Sequence, residues 1–358
     1  MAKTNVAVLF GGRSNEHAIS CVSAGNVMAA IDRSKYNVIP IGISTDGKWL
    51  LQDDALDLAI TRGALPEITS GTALTVTSVP GAAITGSALL ASIDVVFPLL
   101  HGPWGEDGTI QGFLELAAIP YVGSGVYASA ASMDKLHMKA AFRAAGLPVG
   151  PYEAVLPRDW EQSRAAVLAR LSGLPMPLYV KPARAGSSVG ITKVKHRDHL
   201  AAAIETAREH DPKVIVELGI EGAREIECAV LVGADGTARA SVLGEIKVDA
   251  VHEFYDFAAK YLDDGAELIV PADLPEGLTR NVQQLAVQAF EALDCEGLAR
   301  VDFFVRGDGE IILNEVNTMP GFTPISMYPR LWDASGVSYA VLIDALISDA
   351  LRRGTGLR

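Results

Sequence analysis

Arg300, Asp302, Glu315 and Asn317 have the types and spacing that point most directly to chemistry in this chain. They sit in two runs, Arg300-Val-Asp-Phe-Phe-Val and Glu310-Ile-Ile-Leu-Asn-Glu-Val-Asn317, joined by Arg306-Gly-Asp-Gly. A two-residue turn at Asp308-Gly309 would pair 302 with 315 and 300 with 317, and period-2 alternation puts all four on one face of a hairpin. Carboxylates directly opposite one another repel, and apolar neighbours such as Val301, Phe303 and Val316 predict a half-buried setting, so a cation is expected between them. Magnesium, held by one or two carboxylates and completed by water and phosphate oxygens, meets that demand. The solvated face of an edge hairpin has the same pattern, and these residues alone leave both readings open.

A second segment, Tyr179-Val-Lys-Pro-Ala-Arg-Ala-Gly-Ser-Ser-Val-Gly190-Ile-Thr-Lys, reads as strand, small flexible loop, strand. Gly186 to Gly190 matches GxSxG, but a nucleophile elbow turns from strand into helix, whereas Ile191-Thr-Lys-Val-Lys continues as strand. A Walker A loop requires Gly-Lys-[Ser/Thr] and a following helix, and this segment has neither. What remains is a glycine/serine hairpin that begins at Lys181 and whose backbone N–H groups can close over phosphates, or else an ordinary loose hairpin. Ser132-Met-Asp-Lys135 has the SxxK spacing of penicillin-binding enzymes without the companion SDN and KTG sequences, and is set aside.

The scaffold for these residues has 358 positions, room for two or three domains, and its 49% hydrophobic and 20% charged content excludes disorder. Thirty basic against 43 acidic residues leave a net charge of -13, so neither nucleic acid nor an anionic membrane is expected as a partner. The apolar run at 6–10 is too short for a signal peptide, and the most apolar stretch, 82–100, is interrupted by Thr85, Gly86, Ser87, Asp94 and Pro98, so no membrane span is predicted. Cys21, Cys228 and Cys295 form no CxxC pair, which argues against a disulfide framework or thiolate metal site and points to a reducing cytoplasm.

Residues 6–10, then Gly11-Gly12, then an apolar helical pattern through Ile19, Val22 and Ile31 predict strand, turn and helix, with Ser14 or Asn15 as N-cap. Runs at 38–43 and 95–100 suit buried parallel strands, and 53–92 reads as an elaboration of this first unit. A second unit begins near Gly123, with a helix capped by Ser132, running to Ala145 and closed by Gly146 and Pro148. Strand character then takes over, with strands at 178–182, 191–195 and 214–217 and a helix at 198–210. Strands at 225–232 and 240–247, a helix at 278–293, the hairpin at 299–317 and a final helix at 338–352 follow.

Glu315 with Asn317, the small loop at 184–190 and the lysines before it together resemble an ATP-grasp enzyme. Gly11-Gly-Arg-Ser-Asn-Glu-His17, His101-Gly-Pro-Trp-Gly-Glu-Asp-Gly-Thr-Ile-Gln-Gly112, Phe254-Tyr-Asp-Phe-Ala-Ala-Lys-Tyr261 and Asn314-Glu-Val-Asn-Thr-Met-Pro-Gly-Phe-Thr323 are similar to blocks of the D-alanine:D-alanine ligase family, in family order across 6–330. The resemblance implies an α/β protein, α+β in part: a doubly wound, Rossmann-like substrate domain at 1–123, then a two-subdomain ATP-grasp fold. Its central part, 124–220, would carry a phosphate-covering lid, and 221–358 the metal site and a mobile loop. The implied activity is ATP-dependent ligation of two D-alanine molecules through an acylphosphate, for peptidoglycan, in a cytoplasmic homodimer.

Carried over by position, the resemblance implies that Lys135, Lys181, Ser187, Ser188 and Asn314 contact ATP, that Glu217 and Ile220 line the adenine and Glu225 the ribose, and that Lys260 reaches the γ-phosphate. Asp302, Glu315 and Asn317 would hold two Mg2+ or Mn2+ ions. Glu16 would bind the first D-alanine's ammonium, linked to Ser187 and Tyr261, with His101 beside that substrate. Arg300 and the Gly321 N–H would form the oxyanion hole, and Ser326 with Met327 would receive the second carboxylate. The segment 217–225 is one residue longer than the family pattern, and Ala185 stands where a larger residue is common. Tyr261, where depsipeptide-forming members carry Phe, favours D-alanyl-D-alanine over D-alanyl-D-lactate. Ser326-Met-Tyr-Pro329 argues against another ATP-grasp ligase, and the intact Lys181, Arg300, Asp302 and Glu315 argue against a binding module without turnover.

Overall fold

The computed structural model describes residues 2–53, 56–60, 65–80, 84–86, 93–248 and 266–356. The first strand, β1 (Thr4–Gly11), is apolar on both sides, since Val6, Val8 and Phe10 alternate with Ala7 and Leu9 and all five are buried. Such a strand must be covered on two faces, which is the situation of a parallel sheet between helices. The chain continues through α1 (His17–Ala30), β2 (Tyr36–Ile43), β3 (Trp49–Leu51), β4 (Thr72–Ala73), β5 (Thr75–Val76), β6 (Ile84–Thr85), β7 (Val95–Pro98) and α2 (Thr109–Leu116). The first sheet has the order β4-β3-β2-β1-β7, with β1 parallel to both β2 and β7, and β5 pairs separately with β6. Cys21, Ala24 and Val27 of α1 share a core with Val6, Val8 and Phe10, while Ile110 and Leu114 of α2 cluster with Ala7 and Leu9.

The expected cap of α1 is displaced. Glu16 is the N-cap residue, and Ser14 instead shapes the turn, its Oγ accepting from Glu16 N at 3.2 Å and donating to His101 O at 2.7 Å. The loops leaving β1 and β7 therefore meet at the carboxyl edge of the sheet, where the strand order reverses and a crevice opens.

The middle of the chain holds α3 (Val126–Met133), α4 (Lys135–Ala144), β8 (Tyr152–Val155), α5 (Pro157–Leu171), β9 (Leu178–Pro182), β10 (Thr192–Val194), α6 (Leu200–Arg208) and β11 (Val214–Leu218), the strands forming a sheet ordered β10-β9-β11-β8. Asp134, not Ser132, caps α4: its extended backbone (φ -91, ψ 101) breaks the helix, and its carboxylate accepts from the N–H groups of Leu136 and His137. Gly146 ends the helix at φ 74, in the left-handed region that favours glycine. Helix α5 occupies a stretch where only strand character was expected. Pro157 presets its first turn, and Trp160, Val167 and Leu171 are buried in the core of the second sheet.

The remainder is β12 (Arg224–Val232), β13 (Ala238–Val248), β14 (Ala266–Ile269), α7 (Glu276–Ala292), β15 (Leu298–Val305), β16 (Ile311–Asn317), α8 (Met327–Ala334) and α9 (Tyr339–Arg353), with an antiparallel sheet ordered β14-β13-β12-β15-β16. Leu342, Ile343, Leu346 and Ile347 of α9 belong to the core that contains β1 and β7, so the last helix ties the two ends of the chain together. Cys21, Cys228 and Cys295 are free thiols, each buried. Among the described residues no single helix is long and apolar enough to cross a membrane; α8 and α9 pass that test only as a pair, bent by 103°.

Asp134 also pairs with Lys213 at 2.5 Å, so cap and ion pair can be separated by substitution. Asp134→Ala should lower unfolding free energy by about 1–2 kcal/mol, while Asp134→Asn, which keeps a capping oxygen, should lose less than half of that. Urea midpoints of the two variants check this, and equal losses would assign the effect to the ion pair.

Candidate active site

The hairpin of β15 and β16 pairs Arg300 with Asn317 and Asp302 with Glu315. It reaches that register by a different route from the two-residue turn. Arg306 N donates to Glu310 O at 2.9 Å, so the loop is Gly307-Asp308-Gly309, with Gly309 left-handed at φ 89. Near the loop Val305 faces Ile311 and Phe303 faces Leu313, and an irregularity between Asp302 and Phe303 then restores the 302–315 pairing. The extra residue is Asn314. A bulge lets neighbouring side chains escape strict alternation, and Asn314, Glu315 and Asn317 all line the same cleft.

The cation beside Asp302 is Arg300. Its Nε and Nη2 lie 2.7 Å from the two Asp302 oxygens, and Nε is 3.0 Å from Glu227 Oε2. Burial opposes the charge on Arg300, but Asp302 and Glu227 outweigh it and hold the guanidinium pKa above its ordinary value. Asn317 Nδ2 donates to Asp302 Oδ2 at 2.9 Å, and Glu315 Oε2 is 3.9 Å from Lys135 Nζ. Two carboxylates and a side-chain amide oxygen on adjacent strands are hard oxygen donors, and this set fits magnesium or manganese.

A buried charge cluster closes the other side of the cleft. Glu217, on β11, takes Lys181 at 2.6 Å and Lys139 at 2.9 Å. Lys181 faces Ile215 across β9 and β11, which puts Glu217 diagonally opposite on the same face. Burial alone would raise the Glu217 pKa, but the two lysines override it and push the carboxylate well below its usual range. Lys181 is likewise disfavoured by burial, yet Glu217 and Glu315 hold its pKa above the ordinary lysine value. Lys139 Nζ also donates to Asn314 O at 3.0 Å, and Lys135, one turn earlier on α4, donates to Ala185 O at 2.9 Å. Lys135, Lys181, Ser187, Ser188, Glu217, Ile220, Glu225, Arg300 and Asp302 line this cleft of about 260 Å³.

The loop between β9 and β10 reaches the first sheet. Ser187 and Ser188 are left-handed (φ 47 and 60), and Ser187 Oγ donates to Glu16 Oε1. Two glycines make room for that carboxylate: a Cβ on Gly186 would lie 2.6 Å from Glu16 Oε2, and one on Gly102 would overlap the same atom. His101 is buried beside Glu16, with Nδ1 3.0 Å from Met319 O and Nε2 3.2 Å from Ser23 Oγ. Gly321 lies in the turn between β16 and α8. Ser326 precedes α8, and its Oγ accepts from Thr323 N at 3.2 Å. The Met327 side chain is in the core against Gly244, which leaves its backbone N–H, the first of α8, as the polar group it can offer. Lys260 and Tyr261 lie outside the described residues.

Three polar residues of the site were not singled out from sequence: Lys139, Glu227 and Glu106. Lys139 follows Lys135 by four on one helix face, and Glu227 follows Glu225 by two on one strand, so periodicity offered a signal for both. Glu106 lay unassigned within a recognised block. It accepts from Gly102 N at 2.5 Å and from the Met319 backbone, and burial, with the Glu16 charge adding, pushes its carboxyl up to about 8.

Comparison with known proteins finds relatives over nearly the whole chain. The family described as D-ala D-ala ligase N-terminus matches residues 5–124, and that described as D-ala D-ala ligase C-terminus matches 141–348. A D-alanine–D-alanine ligase of Mycobacterium sp. (strain KMS) is 54% identical over 372 residues, covering 99% of this chain and 98% of its own length. The structure of the D-alanine-D-alanine ligase from Coxiella burnetii is similar with a TM-score of 0.82 at 37% identity, covering 99% of this chain and 95% of that one. The VanG D-Ala:D-Ser ligase from Enterococcus faecalis is similar with a TM-score of 0.82 at 35% identity, covering 98% and 100%.

Glu106 carries a pH signature. Its carboxyl keeps its proton in the fold to about 8 but ionises near 4.5 when unperturbed, so the folded state holds the extra proton and stability falls as pH rises through that window. Glu106→Gln, which cannot ionise, should flatten the fall in melting temperature across the same window. Parallel melting curves for wild type and variant would mean that Glu106 is ionised throughout.

Proposed function

The chain belongs to the D-alanine–D-alanine ligase family, and we propose how its own residues divide that family's reaction. It joins two D-alanine molecules to D-alanyl-D-alanine at the expense of ATP, yielding the dipeptide that peptidoglycan synthesis uses. The observation that carries the residue assignments is the closure of one cleft from three directions. Lysines of α4 and β9 meet Glu217, the Ser187 loop meets Glu16, and the β15–β16 hairpin presents Arg300, Asp302, Glu315 and Asn317.

A carboxylate is a poor electrophile and must be activated before an amine attacks it. The γ-phosphoryl group passes to a carboxylate oxygen of the first D-alanine, and ADP leaves. The second D-alanine's amine then attacks the carbonyl carbon of that acylphosphate, loses its proton, and expels phosphate with the original carboxylate oxygen. Lys135 and Lys181 bind the ATP phosphates together with Lys260, and the backbone at Ser187 and Ser188 covers them. Glu217 and Ile220 line the adenine, Glu225 holds the ribose, and Asn314 completes the nucleotide site. Asp302, Glu315 and Asn317 would hold two Mg2+ or Mn2+ ions, which when bound would neutralise charge on the transferred group.

Glu16, supported by Ser187 and Tyr261, binds the first ammonium, with His101 alongside. Ser326 Oγ and the Met327 N–H receive the second substrate's carboxylate. Arg300 and the Gly321 N–H stabilise the oxyanion of the tetrahedral intermediate, and the closed lid keeps water from the acylphosphate. In this reading 1–123 is the substrate domain, 124–220 and 221–358 are the two halves of the nucleotide clamp, and the enzyme works as a cytoplasmic homodimer.

Phosphate release measured with D-alanine alone, with added D-lactate and with added D-serine, followed by mass analysis of the products, tests the assignment. D-alanine alone should support release matched one to one by dipeptide. Release that requires D-lactate or D-serine would instead make the enzyme a ligase of mixed products. Arg300→Lys keeps the charge but loses the planar fork, so kcat should fall about 10²–10³-fold with little change in ATP affinity. Single-turnover kinetics and nucleotide titration check this, and an equal loss in both would assign Arg300 to the ATP site.

A further inference from the structure

The turn at 319–322 is gripped from the other end of the chain. Met319 O faces His101 Nδ1 at 3.0 Å, and a carbonyl can only accept, so Nδ1 carries the imidazole proton and donates. Nε2 is then an acceptor, and it takes the Ser23 hydroxyl at 3.2 Å. Ser23 Oγ in turn accepts from Phe322 N at 3.4 Å. On the other side of the same residue the Met319 N–H donates to Glu106, whose carboxyl also accepts from Gly102 N at 2.5 Å. The turn thus has Met319 bound on both sides and Phe322 bound at its N–H. Pro320 has no N–H, so Gly321 supplies the remaining amide donor of these four residues.

We propose that Ser23, His101 and Glu106 are positioning residues for ligation: they clamp the 319–322 turn so that the Gly321 N–H is aimed at the oxyanion before it forms. This rests on the reading of Gly321 as an oxyanion donor. His101 then acts through Met319 and Ser23 rather than on substrate, since each ring nitrogen already has a partner. Burial is the larger influence on its ring and keeps it neutral despite the Glu16 charge, which preserves the single-donor tautomer that the clamp needs. An oxyanion donor contributes only when it is held in place in advance, and Ser23 and His101 are buried side chains of the first domain's layers.

Amide geometry makes the clamp testable. In His101→Asn the side-chain N–H sits where Nδ1 was and still reaches Met319 O. In His101→Gln the amide falls at the position of Nε2 and does not, and His101→Ala offers neither. Ser23→Ala leaves the ring but cuts its link to Phe322. Displacing a reacting group by about 1 Å costs on the order of 10²-fold, so His101→Ala and His101→Gln should lose kcat on that scale. The KM for the first D-alanine, the ATP affinity and the melting temperature should stay near wild type. His101→Asn should recover most of the loss, and Ser23→Ala should fall between. A raised KM for D-alanine at preserved kcat would make His101 a substrate contact and overturn the proposal. So would an Asn variant no better than Gln, or losses of ATP affinity and melting temperature that parallel kcat. A wild-type enzyme that makes no dipeptide would sink the ligation reading and the clamp with it, whereas a dipeptide-forming wild type with any of those variant results sinks the clamp alone.

Discussion

Buried charge in one cleft is the constraint on which the rest of this molecule depends. Glu217, Glu227 and Asp302 are carboxylates that water cannot reach freely, and each has Lys139, Lys181 or Arg300 within 3.0 Å. Removing one partner of such a pair leaves an uncompensated buried charge and typically costs about 3–5 kcal/mol. The cations come from three different elements, α4, β9 and β15, so the cleft holds its charge balance only when those elements are docked together. Folding and site assembly are therefore one event in this part of the chain.

The same arrangement suits phosphate chemistry. Lys181, one of the two lysines that balance Glu217, lines a cleft in which a polyanion adds negative charge, and Arg300 lines the same cleft. Desolvation works against the charges of Arg300, Lys181 and Glu217, and the Coulombic partners win at all three. At Glu106 the balance goes the other way. Its nearest strong influence besides burial is another carboxylate, Glu16, and the group keeps its proton.

Contact between distant parts of the chain is made by a few short polar links laid over a continuous apolar core. Helix α9 buries Leu342, Ile343, Leu346 and Ile347 against the first sheet, which brings the turn after β16 to the carboxyl ends of β1 and β7. Ser187 on Glu16, and His101 with Ser23 and Glu106 on the 319–322 turn, then set geometry within the space that this core defines. The large apolar area supplies stability, and the directional bonds supply placement.

Local pattern was enough to determine a good deal. The doubly apolar β1, the left-handed Gly146 and the strand-loop-strand around Ser187 all follow from side-chain period and turn chemistry, which act over a few residues. The four blocks that resemble the ligase family carried the activity. Local pattern went wrong where two local solutions compete. Asp134 and Ser132 are both good caps, and the choice of Asp134 is backed by Lys213, which is distant in sequence. The hairpin could close with two or three loop residues, and a bulge at Asn314 made the final pairing the same either way. Only the tertiary structure decided that β12 would lie beside β15, putting Glu227 on Arg300, that Lys139 would turn toward Glu217, and that a histidine at 101 would hold a carbonyl at 319. Those contacts join residues tens to hundreds of positions apart, and no local periodicity encodes them, because they exist only once the apolar faces have chosen their partners.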